Sequence, residues 1–188
     1  MQATYQTPRL TLTELTISDA LFILELINTP EWIPFIGDRN IRTHKEATGY
    51  IEKIIANLNI TYWVVKTYQQ TSIDVITFIQ RDYLPHPDFG FAFLSTHTKK
   101  GYAYEAAMAV LNDVKKDINN IQILAITLIE NINSIQLLKK LGFTFYKEII
   151  HDSEALQVYA ITWLNKTSYL LFIIIIITTM HILQMLFF

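Results

Sequence analysis

Apolar and polar positions change their rhythm several times along the chain, and each change marks an element. Residues 9–13 (Arg9-Leu10-Thr11-Leu12-Thr13) alternate, which predicts a strand with one face buried. Ser18 follows as a candidate helix N-cap, with an apolar run through Ile27 and breaks at Pro30 and Pro34. Thr43 and Glu46 have the spacing of a capping box, in which each side chain satisfies the other residue's free amide. Behind them Ala47, Tyr50, Ile51, Ile54, Ile55 and Leu58 recur at helical spacing and give one apolar face. Residues 62–67, 73–80 and 88–94 are rich in branched and aromatic side chains between turn clusters, one of them Pro85-His86-Pro87, and predict three strands.

Beyond Gly101 the period becomes helical, with Ala103, Ala106, Ala107, Val110, Leu111 and Val114 on one side. Residues 121–129 are almost continuously apolar, as expected of a strand buried on both faces. Residues 134–141 predict a helix stopped by Gly142 in a left-handed cap. Residues 143–150 and 155–162 predict two antiparallel strands. The order is strand, two helices, three strands, helix, strand, helix, two strands. It specifies a mixed α/β domain with helices covering one sheet.

Composition adds few constraints. The chain has 188 residues, a formal charge of −2 and no cysteine. It is long enough for one domain with a real core. It has no basic field for nucleic acid, and it excludes thiol nucleophiles, disulfides and cysteine metal sites. Its histidines are scattered, so no metal site is expected. No apolar leader-like stretch opens the sequence, so the domain is expected to be cytoplasmic. The hydrophobic fraction of 51% has a local cause: residues 169–188 carry no charge and include five consecutive isoleucines, Ile173 to Ile177. A helix of about 20 residues rises about 30 Å, enough to cross a bilayer core. The expected division is therefore a folded domain over 1–165 and a hydrophobic tail over 166–188. The tail reads as a membrane anchor, as a segment packing on protein, or as an extension without function.

Two segments carry the chemistry. In Lys99-Lys100-Gly101-Tyr102-Ala103 a strand gives way to a helix whose first amides have no partner inside it. Gly101 lets backbone approach a ligand, and two lysines add positive charge, so a pyrophosphate fits there. The same glycine also suits a plain tight turn beside solvated lysines. In the second segment, Asn131 follows the buried strand and Ser134 opens the next helix; each is equally suited to capping.

Together these segments resemble the GNAT N-acetyltransferases. Thr98-Lys99-Lys100-Gly101-Tyr102-Ala103 stands where that family has Q/R-x-x-G-x-G/A. Tyr104-Glu105-Ala106, Asn131 with Ser134, and Lys140-Leu141-Gly142-Phe143 match the branch that acetylates ribosomal-protein N-termini, the RimJ/RimL type. So do Arg9–Leu12, Asp19-Ala20 and the segment from Pro87 to Ala92. The resemblance covers roughly residues 7–163. It implies a central twisted, mostly antiparallel sheet with helices on both faces and a parallel, splayed strand pair at the cofactor site.

It also implies acetyl-CoA as co-substrate and an amine acceptor: a protein N-terminus first, a small amine or antibiotic next. A catalytically weak acyl-CoA-binding module held at a membrane is the competing class. Implied cofactor contacts are Phe93, Leu94, Lys99, Lys100, Gly101, Tyr102, Ala103, Asn131 and Ser134. Backbone amides near Phe93 and Leu94 would polarise the thioester. Ser134 would serve near the departing sulfur. Asp88 heads the candidates for the base, with His86 and Glu154 behind it. The chain departs from the pattern at Thr98 and Lys99, at Asp74 and Thr77 where relatives often have glycine, and at Leu138. Many family members have a tyrosine acid at this last position.

Overall fold

A computed structural model describes residues 1–94, 97, 100–117 and 119–163. Eight strands form one sheet in the order β1-β2-β3-β4-β5-β6-β8-β7. They are β1 (Thr4–Gln6), β2 (Leu10–Glu14), β3 (Ile60–Thr67), β4 (Ser72–Ile79), β5 (Asp88–Phe93), β6 (Gln122–Thr127), β7 (Thr144–His151) and β8 (Glu154–Thr162). Every neighbouring pair is antiparallel except β5 and β6. The helices are α1 (Ala20–Leu26), α2 (Ile33–Ile36), α3 (His44–Ala56), α4 (Tyr102–Val114) and α5 (Ile132–Lys140).

The alternation of strand residues sends two cores to opposite faces. Leu10, Leu12, Trp63, Ile76 and Phe89 pack with Ala106, Val110 and Val114 of α4 and Ile135 and Leu138 of α5. Val64 and Val75 pack instead with Ile23 and Leu26 of α1 and with Ala47, Ile51 and Ile54 of α3. Helices thus cover both faces, as the apolar stripes of residues 47–58 and 103–114 require.

The structure corrects some local expectations. β1 is an added strand; at three residues, it is too short to reveal a period. Ser18 is not the cap of the first helix. Thr16 opens a short 3-10 turn there: its hydroxyl and its amide both lie on the Asp19 carboxylate, and Ser18 bonds to the Thr16 hydroxyl. Pro34 sits inside α2, in the first turn, where its missing N–H would have no helical partner anyway. The Thr43–Glu46 box is present as expected, and Gly142 has a left-handed φ of 95°. The hydrophobic tail lies outside the described residues. Among the described residues, no helix is long and apolar enough to cross a membrane.

Candidate active site

β5 and β6 run parallel but stay together only at their beginnings. Asp88 lies opposite Leu124, and the Leu124 N–H donates to the Pro87 carbonyl at 2.9 Å. Two residues on, the Ile126 N–H donates not to β5 backbone but to the Asp88 carboxylate, at 3.3 Å. The side chain spans the gap where the ladder ends, and a wedge opens beyond it. The N–H of Leu94 donates to the Ile73 carbonyl at 3.0 Å, and that of Ala92 to Asp74 Oδ1 at 3.0 Å; both therefore face β4. Because strand amides alternate in direction, the N–H of Phe93 points the other way, into the wedge. Of the two amides expected to face a cofactor, Phe93's is available and Leu94's is engaged within the sheet.

The helix turn sits beside the end of β5. Gly101 is the N-cap of α4 with φ of 78°, a conformation disfavoured for residues with a Cβ. Its surroundings are built by the turn between β1 and β2. Arg9 donates from NH1 to the Lys100 carbonyl at 2.9 Å, lies over the Tyr102 ring at 4.7 Å, and pairs with Glu105. Glu105 also accepts from the Thr7 hydroxyl and from the Arg9 N–H. Partial burial pulls the Glu105 pKa up, but the bonds from Thr7 and Arg9 outweigh it and hold the carboxyl below its usual range. Lys100 and Gly101 are exposed, whereas Tyr102 and Ala103 are half-buried on the first turn. Lys99 and Thr98 lie outside the described residues.

Across the wedge, Asn131 caps α5: its Oδ1 accepts the Ser134 N–H at 3.2 Å. Asn131 is thus the cap that could equally have been Ser134. Ser134 is half-buried, and its hydroxyl makes no hydrogen bond among the described residues. Leu138 is in the core at 1% exposure, so this position presents no acid to the site.

Asp88 stands at the closed end of the wedge, buried, with Oδ2 at 2.6 Å from Arg81 Nε. Burial raises its pKa more than the Arg81 guanidinium and the Ile126 amide lower it. Of the other base candidates, His86 is half-buried in the β4–β5 turn, and Glu154 is exposed at the start of β8. The structure brings Phe93, Gly101, Asn131 and Ser134 to the open side of the β5–β6 pair and Asp88 to its root.

Two features of the site escaped the sequence. Arg9 signals only a strand edge until folding sets it against the α4 turn. Arg81 pairs with Asp88 because the β4–β5 hairpin folds them together, and a spacing of seven residues in a Pro-rich turn carries no periodic signal. The glycine-to-larger departures are accommodated differently. Thr77 is buried opposite Gly90, where an added Cβ would sit 2.5 Å from its Oγ1. Asp74 is fully buried with Oδ2 unpartnered, and desolvation pushes its pKa well above the usual carboxyl value.

Residues 9–144 match the acetyltransferase (GNAT) domain family. The chain is 26% identical over 147 residues to the uncharacterized N-acetyltransferase YnaD of Bacillus subtilis, covering 77% of this chain and 86% of that protein. Its fold is similar to spermidine N-acetyltransferase from Vibrio cholerae, solved with CoA and spermine. The TM-score is 0.71 at 20% identity, over 87% of this chain and 99% of that one. It is also similar to ribosomal-protein-S5-alanine acetyltransferase from Vibrio fischeri, with TM-score 0.72 at 18% identity, over 86% and 97% of the two chains. With the family's domain spanning most of its length and the family's splayed strand pair in its sheet, this chain belongs to the GNAT N-acetyltransferases.

Proposed function

We propose that this chain transfers an acetyl group from acetyl-CoA to a primary amine, and that the amine is a protein N-terminus. The observation that carries the reading is the wedge: an inward-pointing Phe93 amide at its side, with the free amides of α4 at its mouth. Acetyl-CoA supplies the activated acyl group as a thioester. The backbone at Lys100–Ala103, with Lys99 and Lys100, holds its phosphates, since unpaired helix amides and positive charge favour an anion. Gly101 keeps that approach open; a larger side chain would fill it. Phe93 N–H donates to the thioester oxygen, where negative charge develops as the amine nitrogen bonds to carbon.

The carbon–sulfur bond then breaks. Ser134, whose hydroxyl has no hydrogen-bond partner among the described residues, donates a proton to the sulfur and regains one from solvent. The proton lost from the amine passes through water to Asp88, which afterwards releases it. A carboxyl whose pKa is raised by burial is better matched to that task than an exposed one. Asn131 holds the α5 turn that presents Ser134. Residues 1–165 form the transferase domain, and residues 166–188 anchor it to a membrane; β8 ending at Thr162 supports this division.

The test is acetylation of alanine-initiated peptides, with spermidine in parallel. Gly101→Trp should abolish acetyl-CoA binding while the fold is retained. Undiminished affinity in this variant would overturn the cofactor placement. Efficient turnover of spermidine with none on peptides would overturn the acceptor.

A further inference from the structure

The sheet face covered by α1 and α3 is where an acceptor meets the wedge, because α4 and its phosphate-binding turn belong to the other face. On that acceptor face Gly90 of β5, Thr77 of β4 and Tyr62 of β3 lie in register, side by side across three strands. Neighbouring strands are about 4.8 Å apart, so the row leads from Gly90 to Tyr62 in about 10 Å. Phe93 lies three residues, about 10 Å, further along β5, which puts Tyr62 about 14 Å from the reacting centre. The row ends at a cavity of about 340 Å³ lined by Arg39, Tyr50, Lys53, Ile60, Tyr62 and Arg81, among others. A second hollow, about 390 Å³, continues from it past Arg39, Tyr50 and Lys53 to Glu46.

The charge of the first cavity is one-sided, because no acid is in its lining. Arg81 is paired with Asp88. Glu46 belongs to the second hollow, where it keeps its negative charge and accepts from the Thr43 and Arg42 amides. Arg39 and Lys53 make no ion pair among the described residues, so the first cavity presents two unpaired cations above a wall of two tyrosines. Tyr62 is half-buried, and desolvation together with its contact to Tyr50 pushes its pKa up, so it adds no counter-charge.

We infer that this groove selects acceptors with an acidic segment close to the reacting amine: a peptide N-terminus whose third to fifth residues include aspartate or glutamate. The inference rests on the acetyltransferase reading of the wedge and specifies its substrate. The span decides the position. An extended peptide advances about 3.3 Å per residue, so about 14 Å from the amine reaches the fifth residue, and an acidic side chain covers the third and fourth. Polycations are disfavoured, because their second amine would sit against Arg39 and Lys53.

The test uses the full chain with acetyl-CoA and three acceptors: an alanine-initiated hexapeptide with Asp or Glu at positions three to five, the same peptide with Lys there, and spermidine. The acidic peptide should have the highest kcat/KM, with a preference that shrinks as salt is added. R39E and K53E should each raise its KM about fivefold to tenfold and lower the KM of the lysine peptide, leaving the KM for acetyl-CoA unchanged. A wild-type preference for the lysine peptide or spermidine, or charge reversals that leave the peptide ratio unmoved, would overturn the inference while leaving acetyl transfer standing. Free glutamate acetylated as well as the acidic peptide would overturn the commitment to a peptide. If no amine is acetylated and acetyl-CoA fails to raise the Tm, the underlying reading falls, and this one with it.

Discussion

The contact between Gly90 and Thr77 offers a sign-changing test of how this site is built. A Cβ added at Gly90 would lie 2.5 Å from Thr77 Oγ1 and 3.9 Å from Thr77 Cβ. Only the hydroxyl is in the way. Thr77 is 8% exposed and β-branched, so escape by rotation costs packing on a stiff χ1. Forcing a methyl into such a space costs about 1–3 kcal/mol, and replacing glycine in a strand returns roughly 0.5–1 kcal/mol. Gly90→Ala should therefore destabilise the protein by about 1–2 kcal/mol and lower Tm by roughly 2–8 °C for a chain of this size. In the Thr77→Ala background the obstructing oxygen is gone, and the same substitution should become neutral or stabilising by about 0.5 kcal/mol. Urea denaturation of the four proteins in the cycle, read as ΔG with matched m-values, measures the coupling. A coupling below about 0.5 kcal/mol would mean that the two residues are not in the contact described and would refute the reasoning.

Ser134→Ala should lower kcat at least tenfold with KM for acetyl-CoA nearly unchanged; an unaffected kcat in steady-state assays would return Ser134 to a structural role. Asp88→Asn should lower kcat/KM about a hundredfold and remove the acidic limb of its pH profile, a limb that a purely structural carboxyl would leave in place. Arg9→Lys keeps the charge but loses the planar fork that meets Glu105 and the Lys100 carbonyl together. It should cost about 1 kcal/mol in thermal denaturation and weaken acetyl-CoA binding several-fold by calorimetry. Asp74 sets a pH dependence. Its folded pKa is raised above the unfolded value near 3.8, so its contribution is most favourable below that value and is lost as pH rises toward the folded pKa. Asp74→Asn should thus gain stability relative to wild type as pH rises above about 4, with the two denaturation curves closest in acid.

Much of the architecture was legible because it depends on period. The stripe from Ala47 to Ile54, the alternation at residues 10–13 and the unbroken apolar run of β6 each report burial directly. The Thr43–Glu46 box and the Gly142 cap were legible because their chemistry is local. Thr16 was missed for a related reason: Thr16, Ser18 and Asp19 can each cap, and three hydroxyls and carboxylates within four residues leave the choice to tertiary contacts such as Lys66 with Asp19 at 3.0 Å. The direction of an amide is different again. That Phe93 faces the wedge and Leu94 does not depends on strand register, and a one-residue slip would exchange them.

The departures from the family pattern are where sequence and structure inform each other most. Thr98 in place of the usual glutamine or arginine suggests a phosphate turn short of one polar partner. Folding brings Arg9 within 3.4 Å of the space beside Gly101, anchored by Glu105 from α4 itself. Thr77 in place of glycine looks like an obstruction until Gly90 is found opposite it. At Thr77 the altered position has its partner on the next strand, so the loss read along the chain is offset across it. Asp74 is only half compensated: its Oδ2 is buried and unbonded, in a core where such a group costs about 1–3 kcal/mol. A cost of that size persists only where the surrounding packing outweighs it, and Asp74 Oδ1 holds the Ala92 amide on β5, one residue from Asp74's own cross-strand partner, Phe93, in the ladder that orients the Phe93 amide. The orientation of the wedge amide therefore depends on a strained carboxyl, and Asp74→Asn, which can keep the bond to Ala92 without the charge, should stabilise the fold while leaving the KM for acetyl-CoA intact.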